Sequence, residues 1–69
     1  PMPRSYVTII IDNVIRESAS GLAVLCEIDG EEVWMPRGQF AEPETVDVGE
    51  SGGFQVTKWI ADEKELEYR

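Results

Sequence analysis

Asp29-Gly30 stands between two runs of strand-forming residues, Leu22 to Ile28 and Glu31 to Met35, and no other feature limits the fold as much. Gly accepts positive φ at no steric cost, so Asp-Gly in this setting predicts a two-residue type I′ hairpin turn. Such a turn fixes the register. Ile28 then faces Glu31, Glu27 faces Glu32, Cys26 faces Val33, Leu25 faces Trp34 and Val24 faces Met35. One face of the hairpin, carrying Leu22, Val24, Cys26, Ile28, Val33 and Met35, is the expected core face. The other carries Ala23, Leu25 and Trp34, and sets Glu27 opposite Glu32. Pro36 is expected to end the second strand of the hairpin, because it has no N–H for a ladder.

The β-branched stretch Tyr6 to Arg16 predicts one long strand, with a bulge near Asp12-Asn13. Val7, Ile9, Ile11 and Ile15 fall on one face of it, and Tyr6, Thr8, Ile10, Asp12 and Val14 on the other. Ser18-Ala19-Ser20-Gly21 is a turn cluster. Arg37-Gly38-Gln39-Phe40 predicts a turn or 3₁₀ segment that tucks Phe40 under the sheet. Residues 41–53 read as an acidic connection with a short strand at Thr45-Val46-Asp47-Val48, and Gly53 to Thr57 as a further strand. Trp59 to Glu67 reads as a helix starting near Thr57 or Lys58, with Trp59, Ile60 and Leu66 on its apolar face and a Glu65–Arg69 pair at i,i+4. The expected fold is mainly β: a small β-barrel or strongly bent antiparallel sheet, SH3-like or OB-like, with a short C-terminal α-helix.

With 69 residues the chain holds a single small domain, 1–69, with residues 1–5 as a flexible lead-in. Its 42% hydrophobic content suits a packed domain rather than disorder. The sequence has no histidine, which removes Ser-His-Asp and Cys-His catalysis and histidine metal ligation. Its single cysteine, Cys26, cannot form an intramolecular disulfide or build a structural zinc site, and its apolar neighbours mark it as a small core hydrophobe. No Gly-Lys-Ser/Thr phosphate loop is present. The expectation is therefore a non-enzymatic protein with no cofactor and no metal. No basic-then-apolar leader and no bilayer-length apolar run is seen, so a reducing, cytoplasmic setting without membrane contact is expected.

Two spaced tryptophan motifs add a resemblance. Ile28-Asp29-Gly30-Glu31-Glu32-Val33-Trp34-Met35-Pro36-Arg37-Gly38-Gln39-Phe40 is followed by Val48-Gly49-Glu50, then by Val56-Thr57-Lys58-Trp59-Ile60-Ala61 ahead of Lys64-Glu65-Leu66. In this order the chain resembles small uncharacterised proteins of bacteriophages and prophages, with a DGEEVWxP hairpin and a C-terminal W-(I/L)-A helix. The match spans most of residues 22–66, and Met35 and Arg37 stand where Ile and Lys are expected. The resemblance implies a phage-related origin, hence the cytoplasm of a bacterial host, and brings no catalytic residues with it.

The formal charge of -8 disfavours direct binding to nucleic acid, which rests on surplus cations. It suits instead a host protein with a basic surface. The candidate partner-binding residues are Glu27, Glu31, Glu32, Trp34, Glu42, Glu44, Asp47 and Glu50. Glu27 facing Glu32 is either a solvated face that discourages edge pairing or a complement to basic groups on a partner. Trp34 is either covered by the C-terminal helix, with Trp59 and Leu66, or an aromatic anchor of an interface. Such a surface can imitate the charge of a DNA backbone, as anti-CRISPR inhibitors do, and the expected role is inhibition of a nucleic-acid-binding defence complex. The alternative is an OB-like single-stranded nucleic-acid binder, stacking bases on Tyr6, Trp34 and Phe40 and holding phosphates with Arg4, Arg16 and Arg37. Open sheet edges on so small a domain favour a homodimer.

Overall fold

Asp29 and Gly30 adopt φ of 53° and 81° in the computed structural model, which describes residues 5–69. Two consecutive residues at positive φ make the type I′ turn that Asp-Gly predicts. The turn joins β3 (Ala23–Ile28) to β4 (Glu31–Pro36), as these two strands are labelled in chain order, in the register expected from Ile28↔Glu31 to Val24↔Met35. Pro36 closes β4 opposite Ala23. Leu22 departs from expectation. It lies before β3 and is 73% exposed, the core face ending at Val24.

The long first strand is in fact two, β1 (Tyr6–Ile11) and β2 (Asn13–Glu17), separated by a bend at Asp12. β1 pairs antiparallel with β5 (Gly52–Thr57), while β2 pairs antiparallel with β3. Asp12 makes the change of partner. Its N–H donates to the Glu27 carbonyl at 2.8 Å, and its carboxylate accepts the Asp29 N–H at 3.0 Å. The bend also shifts the alternation of faces. Val14 is fully buried beside Ile9 and Ile11, while Ile15 is only half-buried, the reverse of the uninterrupted pattern. The register shift falls between Val14 and Arg16 rather than at Asp12-Asn13.

The chain is thus mainly β, in two antiparallel sheets, β1-β5 and β2-β3-β4, with one short C-terminal helix, α1 (Lys58–Glu63). The strands do not close into a ring among the described residues. The core takes Ile9, Ile11, Val14, Val24, Cys26, Ile28, Met35 and Val56 from the strands, Phe40 and Val46 from the connection, and Ile60 and Ala61 from α1. Phe40 follows a 3₁₀ turn, Arg37–Gln39, and meets Phe54 edge-on at 6.1 Å, as its expected tuck requires. No strand forms at Thr45–Val48. A 3₁₀ turn occupies Pro43–Thr45, and Val46 drops into the core while Arg37 binds its carbonyl.

α1 stops well short of Glu67. Thr57 caps its start, its Oγ1 accepting the Ile60 N–H at 3.2 Å. Its end is a Schellman closure: Glu65 sits at φ 55°, and the Leu66 N–H donates to the Ala61 carbonyl at 2.8 Å. Three expectations fall here, the last two of them with this early stop. Trp59 is 61% exposed while Ile60 and Ala61 are buried; Leu66 reaches the core from beyond the helix; and Glu65 and Arg69 share no helical turn. The tail instead returns to β1, where Thr8 and Arg69 exchange backbone hydrogen bonds of 3.0 and 2.8 Å.

Candidate functional site

The hairpin face away from the core is organised in cross-strand rows. Asn13, Glu27 and Glu32 align across β2, β3 and β4 near the turn. Glu27 and Glu32 are both exposed and directly opposed, and neither forms an ion pair among the described residues. Asp12 and Asp29 join them at this end through their own hydrogen bond. Glu31 is exposed on the other side of β4, opposite Ile28. The turn end of the sheet is therefore strongly negative.

The neighbouring row is Arg16, Leu25 and Trp34. The Arg16 guanidinium carbon lies 5.5 Å from the centroid of the Trp34 ring. Between them Leu25 is 5% exposed, although it belongs to the face opposite the core. The two long side chains roof it, by apolar stem and ring. The expected cover by the C-terminal helix does not form, because α1 packs against β1 and β5. Trp34 keeps 39% of its surface open.

The eight candidate residues do not gather in one place. Glu27, Glu31, Glu32 and Trp34 share the hairpin. Glu42 and Glu44 are exposed around the Pro43–Thr45 turn, at the far end of β4. Five residue steps of β4 put about 17 Å between the two ends. Glu50 returns to the outer edge of β2, where its carbonyl accepts the Val14 N–H and its own N–H donates to the Asp47 carbonyl. The path between is set by Arg37, which donates to the carbonyls of Gly21, Pro43 and Val46 at 3.2, 2.9 and 2.8 Å and pairs with Glu17. Asp12 and Arg16 were expected only as a bulge position and as a phosphate contact of the nucleic-acid alternative; their places beside the acidic row and over Trp34 were not foreseen. The only signal for either was a polar residue interrupting a β-branched run.

The nucleic-acid set fares worse. Phe40 is 3% exposed and cannot stack a base, and Arg37 is held by carbonyls and Glu17 rather than free for phosphate. Arg4 lies outside the described residues, as does most of the expected 1–5 lead-in. Tyr6 and Arg16 remain exposed, the latter over Trp34.

Cys26 is buried on the core face, and burial pushes its thiol up to about 11, away from nucleophilic chemistry. Among the described residues no group of three or more carboxylate or cysteine side chains is arranged to hold a metal ion. Nor is any helix long and apolar enough to cross a membrane. Comparison with protein-family models, with curated proteins and with solved structures gives no match.

Proposed function

We propose that this chain is a non-enzymatic accessory protein of a bacteriophage or mobile element, acting in the cytoplasm of a bacterial host. It binds a host protein with a basic surface and inhibits a nucleic-acid-binding defence complex in the manner of anti-CRISPR proteins. The carrying observation is the exposed, unpaired opposition of Glu27 and Glu32 next to the half-open Trp34. Opposed like charges cost a sheet stability, and a basic partner converts that cost into binding free energy. Trp34 supplies an aromatic anchor beside the carboxylates, the combination that interface hot spots favour. The two sheets are read as halves of an open SH3-like or OB-like barrel, bent at Asp12, which holds the hairpin face outward. Glu27, Glu31, Glu32 and Trp34 form the primary surface, with Asp47 and Glu50 along one flank and Glu42 and Glu44 at the remote end.

The test starts with the protein retained from host lysate, identified by mass spectrometry and then purified. Its association with the wild type is compared with that of a Glu27→Gln, Glu31→Gln, Glu32→Gln triple variant. The triple variant should associate at least tenfold more slowly at low salt, wild-type binding should weaken as salt rises, and nucleic acid should compete. Equal association rates at low salt would sink the charge-imitation reading.

A further inference from the structure

The strand edges of this fold are not treated alike. On β1, Thr8 is bonded both ways to Arg69. On β2, Val14 is bonded to Gly49 and Glu50 at 2.8 and 2.9 Å. On β5, the Gln55 carbonyl accepts the Ala41 N–H at 2.9 Å, and Phe40 bridges Val56. β4 is the exception in having no such bond at all. β1, β2 and β5 are each met at one position, although outward residues such as Tyr6, Ile10 and Gly53 stay unbonded there too among the described residues. In a two-residue hairpin the residues flanking the turn exchange hydrogen bonds, and bonding alternates from there. Glu31, Val33 and Met35 thus point their backbone groups at β3, while Glu32 and Trp34 point theirs outward. Neither of these two makes any further backbone hydrogen bond among the described residues. An open edge of this kind is a template for another strand.

We propose that two copies of the chain pair antiparallel through β4, with Val33 of one copy facing Val33 of the other, so that two three-stranded sheets become one of six strands. The alternation of outward groups limits the choice of register. Centring the two-fold on Glu32 sets that carboxylate against itself. Centring it on Trp34 sets Glu32 opposite Pro36, which lacks an N–H. Centring it on Val33 sets Glu32 opposite the second copy's Trp34, twice, and forms four backbone hydrogen bonds with no like charges directly opposed.

The occupant is a second copy because the edge is self-complementary. Glu32 and Trp34 lie two apart on one face of the strand, so a two-fold axis gives each the other as its partner. Trp34 also carries Arg16 over its ring, which brings a guanidinium toward the Glu32 carboxylate of the other copy. This local match offsets the repulsion between Glu27 and Glu32 within each chain. Side chains on the outer face stay at the surface, so the pairing stands independently of the partner-binding reading.

Oligomeric mass and directed cross-linking test it. The charge of -8 on each copy opposes association, so the dimer fraction should rise several-fold as ionic strength goes from about 0.01 M to about 1 M, where screening shortens from about 30 Å to about 3 Å. A partner complex held by the acidic surface responds in the opposite sense, which separates the two proposals. In a non-hydrogen-bonded antiparallel pair the Cα atoms are about 4.5 Å apart, within disulfide range, whereas position 34 is offset from its own copy by two residues and lies beyond about 7 Å. Because Cys26 lies opposite Val33 within each chain, both variants are made in a Cys26→Ala background. Mild oxidation of Val33→Cys should then give a covalent dimer with a native circular dichroism spectrum, and Trp34→Cys should not. A Trp34→Cys dimer without a Val33→Cys dimer would overturn the register. A wild-type mass that stays monomeric at millimolar protein and high salt would overturn the pairing.

Discussion

The guanidinium of Arg16 and the ring of Trp34 meet at 5.5 Å across the width of β3, with Leu25 shut beneath them. Either truncation should open Leu25 to water. Trp34→Ala is expected to cost about 1–3 kcal/mol and Arg16→Ala about 0.5–1 kcal/mol. Their effects should not add, with a coupling of about 0.5–1 kcal/mol in a double-mutant cycle read by urea unfolding. Strict additivity would mean that the two side chains do not share the work of covering Leu25.

Arg37 holds the acidic connection against the hairpin through three carbonyls and Glu17, with its side chain only 22% exposed. A lysine has one donor group in place of a planar fork and cannot reach these acceptors together. Arg37→Lys should destabilise the fold by about 2–4 kcal/mol and raise amide exchange at residues 43–46 ahead of the rest of the chain. Uniform exchange across the connection and the sheets would argue against this anchoring role.

Two positions with positive φ give opposite expectations. Gly30→Val introduces a β-branched residue at φ 81° and should lower stability by about 1–3 kcal/mol. Glu65→Gly relieves a left-handed residue at the helix end and should raise stability by about 0.5–1 kcal/mol. Both are read from denaturant midpoints. A stabilised Gly30→Val variant would contradict the type I′ turn.

The buried Cys26 thiol makes stability depend on alkaline pH. Its ordinary value of 9.0 is pushed up to about 11 by burial, so between these values the unfolded chain releases the proton while the folded chain keeps it. Stability is therefore complete below pH 9 and falls as pH rises toward 11, by about 2–3 kcal/mol from this group. Cys26→Ala should remove that part of the slope, whatever its cost at neutral pH. An unchanged slope between pH 9 and 11 would assign the dependence to other groups.

The hairpin was legible because its turn chemistry is local and the side-chain period of two then places every residue from Val24 to Met35. The burial of Phe40 and a helix start near Thr57 or Lys58 were legible too, from short-range sequence. An interruption near Asp12-Asn13 was expected, but the change of sheet made there was not, because the bend depends on a carbonyl fifteen residues away, at Glu27, and everything after it changes face. The early helix end was hidden too, since a glutamate at Glu65 carries none of the signal that a glycine would. At the candidate site, the opposition of Glu27 and Glu32 followed from the register. The separation of Glu42 and Glu44 from it did not, because that depends on where Arg37 binds. The Arg16–Trp34 contact depends in turn on the register shift after Val14.

The pairing of β1 with β5 has a kinetic consequence. It joins Tyr6 to Thr57 and Ile11 to Gly52, so closing it requires a loop of at least forty residues, whereas β2, β3 and β4 are connected by short turns. Loop closure costs chain entropy before its contacts repay any of it. The three-stranded meander should thus form the folding nucleus and β1-β5 should close after the rate-limiting barrier. Substitutions around Asp29-Gly30 would then slow refolding, while truncations at Ile9 or Val56 would chiefly speed unfolding, a division that the two arms of a chevron plot separate directly.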